Sequence, residues 1–422
     1  MGDLADDVRL LESAWFQSYP HDVYARLRKE APVFHSERDG IWAITKYEDV
    51  RFISKSPALF SNGHHVYSTA ASIRGEEGAP ATITPDADAR RTSVLDKDGN
   101  DSLVMADGPR HAFLRKIASY AFTPRAIARL EDEVTRLTKE SFASIEAESE
   151  VDFIDTVAAP VPIMMIARML GVADEHLGDF RRWSDAFCEI GDESLPGIED
   201  PAFGDRLVSI EEFNEFFTQQ FAHRRSNPSD DLLTAMVEAE WEGRKLTDDE
   251  LRMMAMILLI AGNETTRGLL SGTGVLLAEH ADQREILRAD HELVPSAIEE
   301  FLRLVTPVTH MCRTALDDVE IRGVQVPKGA YLCLLYPAAN RDEDIWEDPD
   351  RLDVRRPVDA THVAFGFAEH FCLGANLARR EARIVTTELL SQFSSWELTG
   401  PLTRAQSHMT PGITKMPVVF HR

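Results

Sequence analysis

Phe365-Gly366-Phe367-Ala368-Glu369-His370-Phe371-Cys372-Leu373-Gly374 is the stretch on which the reading of this chain turns. A helical pattern follows it, Leu373 to Leu390, with Leu373, Leu377 and Ile384 among its apolar members. Cys372 therefore stands at a helix N-terminus. Free backbone N–H groups and the positive end of the helix dipole favour thiolate over thiol there. Gly366 and Gly374 let the backbone fold tightly around the sulfur. A thiolate held this way is either a nucleophile or a ligand for a soft metal. A lone cysteine beside a glycine turn is more often a buried structural thiol, so other parts of the chain must decide.

Working upstream, Asn340-Arg341-Asp342 through Asp348-Pro349-Asp350 to Arg356 reads as an irregular meander. Before it, residues 319 to 336 change to a period of two. Val324 and Val326 alternate, Pro327-Lys328-Gly329 turns, and Tyr331, Cys333 and Leu335 alternate again, as a strand pair would. Glu300-Phe301-Leu302-Arg303 lies on a helix beginning near Pro295. Its two charges are three apart and share a face.

The clearest helix begins at Thr247, where Thr247 and Glu250 form a capping box and Asp248 and Asp249 suit the dipole. Leu251 to His280 is apolar nearly all round, so this helix crosses an interior. At ~1.5 Å per residue it spans about 45 Å. Ala261-Gly262-Asn263-Glu264-Thr265-Thr266 interrupts the apolar run. Glycine costs about 1 kcal/mol in a helix interior, and an acid in apolar surroundings costs more unless paired. Both are expected only if something large lies against Gly262.

From 107 to about 300 the pattern is mainly helical, with Asp107-Gly108-Pro109-Arg110-His111 opening a helix on which His111 and Arg115 share a face. Residues 61–106 are rich in Gly, Ala, Ser, Thr, Asp and Pro and read as a long loop. Near the start, Pro20 to Lys29 and Tyr47 to Ser54 read helical, and Ile41 to Ile44 reads as a strand after Gly40. The expected fold is mainly α with a minor β part, as one domain over 1–422.

The bulk properties restrict the partners. With 44% hydrophobic and 27% charged residues the 422-residue chain is globular, and long enough to enclose a sizeable cofactor. A net charge of −26 repels nucleic acid and anionic membranes. Met1 to Asp7 is acidic without an apolar core, and the longest apolar stretch, Met253 to Gly262, is far too short to span a bilayer. A soluble, cytoplasmic protein is expected. Cys188, Cys312, Cys333 and Cys372 lie far apart, without zinc-like spacing or a disulfide framework.

Together these segments resemble the cytochrome P450 family, in its bacterial, soluble, ferredoxin-dependent form. The family's haem signature, Phe-Gly-x-Gly-x-His/Arg-x-Cys-x-Gly, is matched at Phe365, Gly366, His370, Cys372 and Gly374, with Ala368 where the family usually has Gly. That departure is expected to change the loop's curvature slightly. The family's Glu-x-x-Arg matches Glu300 and Arg303, and Arg356 is the assigned third member, holding the cysteine loop. Its Ala/Gly-Gly-x-Asp/Glu-Thr stretch matches Ala261, Gly262, Glu264 and Thr265. Four signatures in the family's order cover nearly the whole chain.

The resemblance implies the prism-like P450 fold, with haem b (iron protoporphyrin IX) between the long distal helix and a proximal helix behind the cysteine loop. Cys372 is the implied iron ligand, and its thiolate pushes electron density that favours O–O cleavage. His111, Arg115, Arg313 and His370 would clamp the propionates. The distal helix would open at Gly262, with Glu264 and Thr265 delivering protons to dioxygen. Ile260, Ala261, Val305, Val308, Thr309 and Met409 would line an apolar substrate pocket. The implied reaction is hydroxylation of a hydrophobic small molecule, steroid, terpenoid or otherwise lipid-like, by O2. An acidic ferredoxin or flavodoxin would dock on a basic proximal face built from Arg110, Arg115, Lys116, Arg125, Arg379, Arg380 and Arg383. His64, His65, Arg74, Arg90 and Arg91 read as solvated loop charges. A peroxide-driven haem peroxygenase of the same fold, or a non-catalytic haem-binding protein, would not need the Glu264–Thr265 pair.

Overall fold

The computed structural model describes residues 3–63, 102–146, 148–189, 201–357 and 361–422. Most of the loop expected over 61–106, with His64, His65, Arg74, Arg90 and Arg91, lies outside the described residues, as do the side chains of Arg125 and Cys188.

Helices dominate. Those that build the centre are α1 (Gly108–Ala118), α2 (Pro124–Ala143), α3 (Pro160–Met169), α4 (Leu177–Glu189), α5 (Pro201–Ser226), α6 (Asp248–Glu279), α7 (Val294–Val305) and α8 (Ala375–Gln392). The expected capping box opens α6. The Thr247 hydroxyl accepts from the Glu250 N–H at 3.2 Å, and the Glu250 carboxylate accepts from the Thr247 N–H at 2.7 Å. The same carboxylate takes both nitrogens of Arg244 and one of Arg110, which hold it down to a pKa of about 2 against the cost of burial. α6 packs on α3, α4, α5, α7 and α8, which is why its sequence has no polar face.

The minor β part is a five-stranded sheet made from β1 (Val33–Ser36), β2 (Ile41–Ile44), β3 (Phe60–Ser61), β4 (His310–Ala315) and β5 (Tyr331–Leu335), in the order β1-β2-β5-β4-β3. One expectation is corrected here. Val324–Val326 does not pair with Tyr331–Leu335. It forms a hairpin with Val319–Ile321, and β5 pairs instead with β2 and β4. The hairpin turn is Arg322-Gly323, both at positive φ, 50° and 79°, as a two-residue turn of this hand requires. Every residue of β5 is buried, because the strand is central and covered on both faces. That sheet also brings Cys312 and Cys333 into direct register, far apart in sequence and both buried free thiols.

Candidate active site between the long helix and the cysteine loop

Residues 365–374 form a tight arch ahead of α8. The Cys372 N–H donates to the Phe365 carbonyl at 2.9 Å, Gly366 N–H to Val363 at 2.9 Å, and Phe371 N–H to Ala368 at 3.0 Å. Gly366 and Ala368 both take left-handed backbone, φ 67° and 61°. The alanine therefore adopts a left-handed turn under strain. Arg115 holds the arch, donating to the Phe371 carbonyl at 2.8 Å, and the Arg379 guanidinium lies 4.7 Å above the Phe365 ring.

The arch sits on the buried ion-pair cluster expected from Glu300, Arg303 and Arg356. Arg303 meets Glu300 with two bonds of 2.7 and 2.8 Å, Arg356 adds a third of 3.0 Å, and Arg303 also reaches the carbonyls of Asn340 and Pro349. Both carboxylate oxygens are thus satisfied, which is what keeps a buried acid tolerable.

Burial pushes the Cys372 thiol upward, while the backbone N–H groups of Gly374 and Ala375, Arg115 and Arg379 pull it down without overcoming burial. Helix-end stabilisation alone therefore does not make the thiolate expected from the sequence. A bound metal cation would, since a coordinating thiol loses its proton outright.

A cavity with about 250 Å³ of water-accessible space separates the arch from α6. At one end His111, Arg115, Arg313 and His370 converge. The two imidazoles lie 4.0 Å apart between ring centres. Arg313 donates to the Cys312 carbonyl at 2.7 Å, and neither arginine forms an ion pair among the described residues. Nε2 of His370 is buried without a hydrogen-bond partner, 3.7 Å from Oε1 of Glu369. Burial, His111, Arg313 and Arg115 hold His370 down to about 3, and burial with Arg115 lowers His111. Four donors gathered with only Glu369 close by, and two arginines not ion-paired among the described residues, match a cofactor carrying two carboxylates, so the residues present fit a haem.

On the other wall stand Ala261, Gly262, Glu264 and Thr265. The helix does not open there. α6 is unbroken from Asp248 to Glu279, and the Thr265 hydroxyl donates to the Ala261 carbonyl at 2.7 Å. What lies against Gly262 is Ile166 of α3, whose Cδ1 would be 2.2 Å from an added Cβ. Glu264 is buried and ion-paired to Arg267, one turn on. Arg267 also approaches Asp185 at 3.4 Å, and Asp185 lies near Arg181, which pairs with Asp155 on the surface.

Ile260, Ala261, Val308 and Met409 line the cavity as expected. Val305 and Thr309 do not. Val305 fills the notch at Gly272, and Thr309 is buried with its hydroxyl on the His408 carbonyl at 2.7 Å. Lining residues absent from the sequence reading include Ile166, Leu269, Met311 and Glu381. The basic residues after the cysteine are not bare. Arg379 is paired with Glu299, and Arg380 and Arg383 share Glu131 of α2. Arg110 is turned inward to Glu250.

Comparison with known proteins gives a consistent result. A family model described as Cytochrome P450 matches residues 205–417. Linalool 8-monooxygenase of Pseudomonas putida is 31% identical, over 96% of this chain and 96% of that protein. Steroid C26-monooxygenase of Mycobacterium tuberculosis (strain ATCC 25618 / H37Rv) is 33% identical, over 99% of this chain and 98% of that protein. Among solved structures, CYP109E1 from Bacillus megaterium in complex with testosterone superposes with a TM-score of 0.78 at 29% identity, covering 95% of this chain and 99% of that one.

Proposed function

This chain belongs to the cytochrome P450 family, and from that premise we propose that it hydroxylates a neutral, lipid-like small molecule of steroid or terpenoid type, using electrons from a separate acidic ferredoxin. It is a haem-thiolate mono-oxygenase, an oxidoreductase that places one oxygen atom of O2 in its substrate. A haem held there (haem b in this reading) would supply the electron uptake and O2 activation that side chains lack.

The chain's residues have separable tasks. Cys372 supplies the anionic sulfur, and the arch hydrogen bonds fix its direction. His111, Arg115, Arg313 and His370 would hold the two carboxylates. Thr265 lines the cavity, and its Oγ1 proton rests on the Ala261 carbonyl until the hydroxyl turns. Glu264 exchanges protons only once its carboxylate leaves Arg267, so the pair with Arg267 acts as a latch. Asp185 and Arg181 continue that charged row to the surface. Apolar walls keep bulk water off the reaction.

The observation that carries the substrate class is the lining itself. Ile166, Ile257, Ile260, Val308, Met311 and Met409 surround the space over α6, and the described cations of the cavity are all in the carboxylate clamp. Nothing described there pairs a substrate carboxylate, so a neutral apolar ligand is favoured over a fatty acid. Linalool and steroid, the substrates for which two relatives are named, belong to that class.

The test is turnover of steroids, terpenoids, fatty acids and aromatics with ferredoxin and its reductase, with peroxide-only and flavodoxin reactions alongside. Hydroxylated steroid or terpenoid, dependent on ferredoxin, is the expected product. A strict preference for fatty acids, or equal product from peroxide alone, would refute the proposal. Cys372→Ser is expected to abolish the thiolate-type carbon monoxide band and the turnover together.

A further inference from the structure

Along β4, Met311 and Arg313 line the cavity, so His310, Cys312 and Thr314 point to the other face of the sheet, where Leu10, Phe16 and Tyr24 of the N-terminal chain pack. The Ala315 N–H donates to the Ala330 carbonyl at 2.9 Å, and the Tyr336 N–H to the Thr309 carbonyl at 3.0 Å. Hydrogen-bonded pairs alternate inward from these two. Cys312 and Cys333 are therefore a non-hydrogen-bonded pair, where facing side chains come closest. A ring nitrogen of His310 and the two sulfurs all lie within 4.8 Å of one another, and the three residues are fully buried. The Thr309 hydroxyl gives its one hydrogen to the His408 carbonyl at 2.7 Å, so it accepts from Nδ1 of His310 at 3.0 Å. That bond leaves the lone pair of the neutral ring on Nε2, and it has the form of the outer hydrogen bond that orients a metal-bound histidine. Burial and His408 hold His310 down to about 3, and burial with Cys312 pushes the Cys333 thiol up. On the same face Tyr331 hydrogen-bonds to Cys312, and Oγ1 of Thr314 is buried without a hydrogen-bond partner among the described residues. Two thiols, an imidazole and a spare hydroxyl occupy a core that apolar side chains would fill without desolvation cost.

We propose that His310, Cys312 and Cys333 form a Zn2+ site that ties β4 to β5. Thiolate and imidazole are the ligands that soft and borderline cations prefer, and a Cys2His set is one that holds zinc with its fourth position left to water. Zinc suits the burial, because two thiolates cancel its charge. A monovalent copper ion on the same ligands would leave a net charge in an apolar core. The triangle of ligand atoms closes onto zinc with side-chain shifts of about half an ångström, given Zn–S of about 2.3 Å and Zn–N of about 2.0 Å. Binding breaks two S–H bonds and forms two Zn–S bonds; the two protons go to solvent and no electron moves. Because the N-terminal chain covers this face, the ion enters as the chain folds. Zinc there fixes β4 directly behind Arg313, whose side chain serves the carboxylate clamp on the opposite face. The site is independent of the reaction proposed above. No spacing in the sequence announces it, because the third ligand arrives from another strand.

The test uses the full-length, haem-loaded enzyme, produced with Zn2+ added to the growth medium and dialysed against a weak chelator. Elemental analysis should return about one zinc per chain, and X-ray absorption at the zinc edge should show two sulfur neighbours at about 2.3 Å and an imidazole at about 2.0 Å. Cys312→Ala should lose the zinc, while Cys188→Ser, which changes a cysteine outside the cluster, should keep it. A strong chelator present during thermal unfolding should lower the Tm of the wild type and leave that of Cys312→Ala unmoved. Wild-type enzyme without zinc, zinc with fewer than two sulfur neighbours, or a Cys312–Cys333 disulfide found by peptide mass analysis overturns the proposal. Zinc inserted into the porphyrin is told apart by its four pyrrole nitrogens. The wild-type absorption spectrum decides the matter even where Cys312→Ala fails to fold.

Discussion

Ala368 holds φ 61° in the middle of the cysteine arch, where an L-residue with a Cβ is strained by about 1–2 kcal/mol. Ala368→Gly removes that strain and returns part of the gain as unfolded-chain entropy. The expected net effect is a stabilisation of up to about 1 kcal/mol, read as a higher Tm and slower haem loss; a lower Tm would mean the alanine methyl packs usefully. Glu381 makes a second prediction at this scale. Its carboxyl is raised from 4.5 to about 8 in the fold, so the native state holds a proton that the unfolded chain has released. Stability therefore declines as pH climbs from about 4.5 to about 8 and the loss is complete above that. The loss amounts to a few kcal/mol. Glu381→Gln should erase this decline, making the variant more stable than wild type in chemical denaturation at pH 8 but not at pH 4.

Elements in this protein meet through glycine notches on α6. Ile166 of α3 enters at Gly262, and Val305 of α7 enters at Gly272. Each notch brings a neighbouring helix close to α6, and the first also sets how far Ile166 protrudes into the cavity. Gly262→Ala gains helix propensity of about 1 kcal/mol but forces Ile166 aside, at a typical overpacking cost of about 1–3 kcal/mol. The expected outcome is a net destabilisation and a changed product profile, because Ile166 moves into substrate space. In a double-mutant cycle with Ile166→Ala, the two changes should couple favourably. Additive effects would show that the two side chains do not compete for that space.

For the whole molecule, a net charge of −26 surrounds a face on which Arg379, Arg380 and Arg383 are held by acids. Glu131 braces Arg380 and Arg383 at partial exposure, 35% and 43% for their side chains. Under the proposed ferredoxin docking, the partner would meet arginines already oriented, at the cost of displacing or sharing Glu131. Arg380→Glu should slow ferredoxin-driven turnover at low salt, with the difference shrinking as ionic strength rises and screening sets in. Peroxide-driven turnover, which needs no docking, should not change. Equal ferredoxin rates for both proteins at low salt would remove this face as the docking site.

How much was legible depends on whether a feature is local. Sequence alone determined the helix starts, because a capping box and dipole charges lie within one turn. It determined the cysteine arch and the Glu300–Arg303 pair, because three- and four-residue spacings fix a shared face. Glu381 was missed, although it stands on the apolar stripe with Leu377 and Ile384, because beside Arg379 and Arg380 it passes for a surface charge. The pairing of Glu264 with Arg267 was written in an i,i+3 spacing. Tertiary structure alone decided that Ile166 fills Gly262, that Val305 and Thr309 face away from the cavity, and that β5 joins β2 and β4. It also decided that burial outweighs the helix dipole at Cys372. Each of these depends on which surfaces meet after long-range packing, and desolvation is a property of that packing, carried by no single segment of chain.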